Sequence, residues 1–188
     1  MVSKSKKEIA DLIAGEVLNL FMPAFLSTKY LDDKHRFTPP ANFWADTYII
    51  GFAFRFADLL LTIDFDGEAM MPEEKEEIIL LYTPQICGKV WQQVIQTVNQ
   101  LGTERDKDLE FTKGIREAEL AYGTISGRLN PNDPDPLLQE ARELAKNMRR
   151  NEGLDDASVI SDSIIEDSIG GAIMVLTITT HIKANYLS

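Results

Sequence analysis

Carboxylates are the side chains in this sequence best supplied for chemistry. Glu73, Glu74 and Glu77 stand close together, and Asp155, Asp156, Asp162, Glu166 and Asp167 form a second group. Magnesium needs only a few carboxylates and waters, with no sulfur or imidazole, so both groups carry donors of the right type. On a helix Asp162 and Glu166 share one face, where like charges repel mildly unless a cation or a basic side chain lies between them. The chemistry implied is magnesium-dependent hydrolysis of phosphorylated small molecules, with Glu73, Glu74, Glu77, Asp162 and Glu166 as metal ligands. A structural reading competes with it. Carboxylates in the first turn of a helix face the positive end of its dipole, and a helix opening at Pro72 explains Glu73 and Glu74 without a metal.

Glu73, Glu74 and Glu77 reproduce the EExxE half of the motif with which all-helical nucleotide pyrophosphohydrolases hold magnesium. The other half, ExxD on the following helix, is missing: Lys107 stands three residues after Glu104, and Thr103 three before Asp106. Half a motif made of common helix-start residues establishes no family.

Other reactive side chains are scarce. Most hydrolytic, redox and transition-metal sites draw on histidine or cysteine, and here there are two histidines and one cysteine. His35 lies in a run of charged residues, Asp32 to Arg36, and reads as solvated. His181 sits near the end of the last apolar segment, where a cation complements a helix dipole. A ferritin-like di-iron centre needs glutamate three residues before each histidine, but Asp32 and Ile178 hold those places. Cys87 follows Pro84, and a helix restarting there would lower its pKa; a small buried residue is the plainer reading. Asp64, Asp66 and Glu68 resemble a calcium loop until Ala69, where the loop needs glycine. No phosphate-binding glycine loop, zinc spacing or nucleophile elbow is present. No cofactor is expected, and catalysis is not favoured.

The sharper oddity is charge inside the most apolar stretch. From Phe43 to Phe65 the chain is apolar around the whole helical circumference, yet Asp46, Arg55 and Asp58 interrupt it. A buried charge is costly unless paired. Arg55 and Asp58, three apart, can pair with each other, whereas Asp46 needs a partner from another helix or a place in solvent at the helix start. The functional version is a ligand pocket between helices lined by Trp44, Tyr48, Arg55 and Asp58.

The elements that must position these residues are all helical. Ile9, Leu12, Ile13, Leu20 and Phe21 recur at helical spacing, predicting a helix from Lys4 to Lys29 kinked at Pro23. Thr38 before Pro39 and Pro40 reads as the cap of a second helix, ending at Asp64 to Gly67. A third begins at Pro72, bends at Pro84 and stops near Gly102. Phe111, Ile115, Ala118, Tyr122, Ile125 and Leu129 alternate in steps of four and three, the seam of a bundle. Asp135 caps a fifth helix whose stripe is Leu138, Ala141, Ala145 and Met148, closed by Gly153. Residues 173–182 are rich in β-branched side chains, which favours a strand by propensity, but they lack alternation and a partner strand and read as a buried helix.

The expected fold is therefore all-α: one domain over residues 1–188, an irregular bundle of five to seven helices, with Phe43–Phe65 and Ser163–Lys183 as its central pair. The 44% hydrophobic content suffices for such a core. A formal net charge of -11 repels phosphate backbones and anionic lipid, so nucleic acid is not an expected partner. No stretch reaches the roughly 20 apolar residues of a membrane span, and the single cysteine fits a soluble protein of the reducing cytoplasm. Function is expected to be non-catalytic: an interaction or regulatory protein that forms a homo-oligomer or binds a protein partner. Magnesium-dependent hydrolysis and small-ligand binding are the alternatives.

Overall fold

The computed structural model describes residues 4–26, 28–31, 37–65, 69–103, 107–129, 133–151 and 169–187, with the backbone alone for 148–151. It is an all-α multi-helix bundle, and among the described residues the only extended pairing is an isolated antiparallel bridge between Leu31 and Phe37. No described helix is long and apolar enough to cross a membrane. The chain divides into two compact units, Met1–Ala118 and Glu119–Ser188.

In the first unit, α1 (Lys6–Phe25) starts at a capping box. The Ser5 hydroxyl accepts from the Glu8 N–H (3.3 Å) and the Glu8 carboxylate accepts from the Ser5 N–H (2.7 Å), which satisfies two amides the helix leaves open. Ile9, Ile13, Val17, Phe21 and Phe25 form its buried face. The helix ends two residues after Pro23, short of the expected Lys29.

The second helix also starts later than its prolines suggest. Residues 38–40 have no regular secondary structure, Asn42 turns the chain in the left-handed region (φ 64°), and a single 3-10 turn, Phe43–Ala45, leads to α2 (Thr47–Leu59). The physical reason lies in the tandem prolines: Pro40 drives Pro39 out of helical geometry, and Pro39 does the same to Thr38. Asp46 is the true N-cap, its carboxylate accepting from the Tyr48 (3.0 Å) and Ile49 (3.3 Å) amides. That cap is the partner Asp46 required. A π turn, Leu60–Asp64, continues α2.

The helix α3 (Pro72–Cys87) begins as expected, but the break after Pro84 falls at Gly88 (φ +59°), followed by the 3-10 turn Gly88–Val90 and α4 (Trp91–Thr103). Positive φ is cheap only for glycine. The helices α1 and α3 pack extensively against one another, tied at the surface by Lys6–Glu77 (2.6 Å) and by Gln85 donating to Asp11 (2.8 Å). Phe21, Phe25, Phe37, Phe43 and Trp44 form an edge-rich aromatic cluster, with ring centroids 4.8–5.9 Å apart.

The two largely buried central helices are α2 and α5 (Leu109–Ile125). Tyr48, Ile49, Ile50, Phe52, Ala53, Phe56 and Ala57 are all buried, so most of α2 is covered, while Asp58 is exposed and Phe54 and Arg55 are half-buried. Glycines set how closely α5 approaches. A Cβ at Gly51 would lie 2.5 Å from the Phe111 carbonyl oxygen, and one at Gly114 would collide with the Tyr48 carbonyl and come within 2.9 Å of the Phe52 nitrogen.

In the second unit, Asp135 caps α6 (Pro136–Asn151) by accepting from the Leu137 N–H at 2.9 Å, and Leu138, Ala141 and Ala145 are its buried stripe, as predicted. Gly153 lies outside the described residues, as does the side chain of Met148. The final helix runs through residues 169–174, a π turn Val175–Thr179 and α7 (Thr180–Tyr186), and buries Ile169, Ala172, Ile173, Ile178 and Ile182. Residues 173–182 are thus helical. Thr177 and Thr180 turn their hydroxyls onto the carbonyls of Ile173 (2.7 Å) and Val175 (2.6 Å), local bonds that let β-branched residues serve a helix.

Candidate functional site

Two of the three described candidate metal ligands make structural contacts. Glu74 accepts from the Met71 N–H (3.2 Å) at the start of α3, Glu77 pairs with Lys6, and Glu73 is exposed. Among the described residues no three His, Cys, Asp or Glu side chains are grouped so as to hold a cation. Asp162 and Glu166 lie outside the described residues, as do Asp155, Asp156, Asp167 and His35. His181 is half-buried in α7.

Cys87 is the last residue of α3 and stands directly before the 3-10 turn Gly88–Val90, to which its side chain gives no capping hydrogen bond. Burial pushes its thiol up to about 12, which keeps it protonated and poorly nucleophilic at neutral pH.

The four residues of the expected pocket separate into two pairs. Trp44 is buried in the aromatic cluster, and its indole N–H has no hydrogen-bond partner among the described residues. Tyr48 is fully buried and donates from its hydroxyl to Glu117 of α5 at 2.5 Å, while the Lys113 ammonium stands 5.3 Å from the centre of its ring. Burial first, and then the Glu117 carboxylate, raise the Tyr48 phenol well above its ordinary range. Tyr48 therefore fastens α5 to α2.

Arg55 and Asp58 form the other pair, and they do both things their spacing allowed. Arg55 Nη1 lies 2.6 Å from Asp58 Oδ2, and both residues line an open groove of about 240 Å³. From α2 the groove takes Gly51 and Phe54 as well; α4 contributes Val98 and Gly102, and α5 contributes Phe111 and Ile115. Among the described residues its lining is apolar apart from the ion pair. Beside it, the Phe54 ring meets Tyr82 with centroids 6.4 Å apart; burial, and next the Asp58 charge, raise the Tyr82 phenol.

Sequence reasoning missed the wall that α4 and α5 supply. Phe111 and Ile115 were legible only as seam residues, and Gly102, expected as a helix stop, is helical and bare: a Cβ there would meet nothing within 4 Å. The signal available was the pair of glycines at 51 and 102, whose separate effects, close approach and open space, no single-helix pattern distinguishes. No protein-family model, curated protein or solved structure matches this chain.

Proposed function

We propose that this chain is a non-catalytic binding protein whose groove between α2, α4 and α5 takes a small ligand. The observation that carries the reading is an ion pair, Arg55 with Asp58, set at an apolar groove; a few placed polar groups over an apolar lining is the usual composition of a ligand site. The sparse nucleophile inventory and the protonated thiol of Cys87 support binding over catalysis, and a single buried thiol suits a reducing cytoplasm. A fragment screen by ligand-observed NMR tests it. Hits should compete for one site on the wild-type chain and vanish in Gly102→Leu, which fills the groove; hits that persist in that variant would sink the reading.

A second reading, self-association or capture of a protein partner, draws on a different surface. Leu12 of α1 and Leu80 and Leu81 of α3 are 42%, 45% and 37% exposed on two helices that pack together. Exposed apolar groups gathered on one face mark interaction surfaces when they are contiguous. Sedimentation velocity across a hundredfold concentration range decides it: a monomer throughout removes self-association, and an oligomer abolished by Leu81→Glu supports it.

A further inference from the structure

We propose that the outer face of α4 pairs two copies of this chain as a symmetric, antiparallel dimer in which Gln96 meets its own counterpart. From Val90 to Thr103 the sequence carries no charged residue, although 26% of the whole chain is charged. The solvent side of a helix is where charged side chains ordinarily collect. Here Gln92, Gln93, Gln96, Asn99 and Gln100 are all exposed, while Val94, on the opposite side of the helix, turns inward and is 1% exposed. At 3.6 residues per turn the five amides fall within about 60° of Gln96 around the helix axis, so they form one face. Among the described residues none of these five side chains makes a hydrogen bond.

The chemistry of the face selects its occupant. A side-chain amide carries both donors and an acceptor, so it is its own complement, and a two-fold interface requires a patch complementary to itself. An axis at Gln96 sets Gln92 opposite Gln100 and Gln93 opposite Asn99, amide against amide at every step. A charged partner finds no countercharge along α4, and an apolar one would leave the amides unsatisfied. Two copies that each carry a net charge of -11 repel wherever carboxylates line the contact, and this face brings none. The contact spans Gln92 to Gln100, clear of Lys89 at one end and, at the other, of residues 104–106, which lie outside the described residues. Trp91 and Ile95, half-buried along one edge of the face, supply apolar surface for the pairing to cover. Val98 and Gly102 line the groove from another side of α4, so the pairing does not depend on the ligand reading. It also uses a face other than that of Leu12, Leu80 and Leu81.

A pair of helices about 20 Å long makes a small contact of the weak, reversible class, with Kd on the order of 100 μM. Sedimentation equilibrium of the full chain from about 10 μM to about 1 mM brackets that value, and should show the wild type passing from monomer to dimer. Gln96→Glu and Gln96→Lys each set like charges against one another at the axis and should weaken association by about tenfold or more. Their circular dichroism should stay that of the wild type, since both replacements are good helix formers at an exposed site. Mixed in equal amounts, the two variants should associate at least as tightly as the wild type, because glutamate then faces lysine. A wild type that stays monomeric throughout overturns the dimer, and so does association unchanged in either variant. A mixture that stays monomeric overturns it as well. If Leu81→Glu also yields a monomer, the mixture decides, since only faces that meet at Gln96 respond to opposite charges placed there.

Discussion

At the scale of single residues, the contact between Tyr48 and Glu117 is the one most worth breaking, because it joins two helices through a buried ring and a part-buried carboxylate. Tyr48→Phe keeps the ring and removes the bond. Glu117 retains some access to water, so the expected loss is about 1 kcal/mol, the net worth of a typical hydrogen bond, read from the midpoint of urea unfolding; no change would mean the bond contributes nothing net. Buried acids give a second prediction. The Cys87 thiol is raised from 9.0 to about 12 on folding, and the phenols of Tyr48 and Tyr82 are raised from 10.0. Above the unfolded values the unfolded chain holds fewer protons than the folded one, so stability falls as pH rises. The contribution is complete below about pH 9 and is lost toward pH 12, at a slope of about 1.4 kcal/mol per pH unit for each such group. Denaturation midpoints that stay level from pH 8 to pH 11 would contradict it. The pairing of Arg55 with Asp58 was legible in the sequence from spacing alone. The sequence grouped Trp44 and Tyr48 with them in one pocket; seven residues apart, Tyr48 and Arg55 share a stripe of α2, but Gly114 brings α5 down on the Tyr48 end, while Arg55 and Asp58 line the groove.

At the scale of elements, glycines have opposite meanings in different helices. At Gly114 an added methyl group meets backbone atoms of Tyr48 and Phe52, which cannot move without shifting α2. At Gly15 it meets nothing within 4 Å. Gly114→Ala should therefore destabilise by about 1–3 kcal/mol, the cost of overpacking, although alanine is the better helix former; Gly15→Ala should stabilise by about 0.5–1 kcal/mol from helix propensity alone. Chemical denaturation of the two variants side by side checks this, and equal signs would refute the role given to Gly114. Helix existence was readable wherever an apolar stripe recurred, as in α1, α5 and α6. Helix starts were readable where a single capping group dominated, as at Pro72 and Asp135. The start of α2 was not, because the effect of each proline on the residue before it outweighed the cap that Thr38 offered, and because Asp46 carried two possible roles.

At the scale of the whole molecule, the excess of 11 negative charges governs the response to salt. The visible ion pairs, Lys6–Glu77, Arg55–Asp58 and Lys146–Glu143, are largely solvent-facing and contribute little, whereas repulsion among unbalanced carboxylates acts on the folded state as a whole. Raising sodium chloride from about 10 mM to about 200 mM shortens the screening length from roughly 30 Å to under 10 Å. It should raise the thermal midpoint by about 2 °C or more, and a fall would mean that attractive pairs outweigh the net charge. The sequence by itself determined that the chain is all-α, that the stretch Phe43–Phe65 supplies much of the core, and that Arg55 answers Asp58. Those properties follow from composition, periodicity and short spacings, which are local. Tertiary structure decided that α5 lies against α2 as a central helix, that Glu74 and Glu77 serve a helix start and a lysine, and that Arg55 and Asp58 face a groove. Each of these depends on which helix lies across which, at a separation set by glycines 51 and 114, and no one-dimensional pattern carries that information.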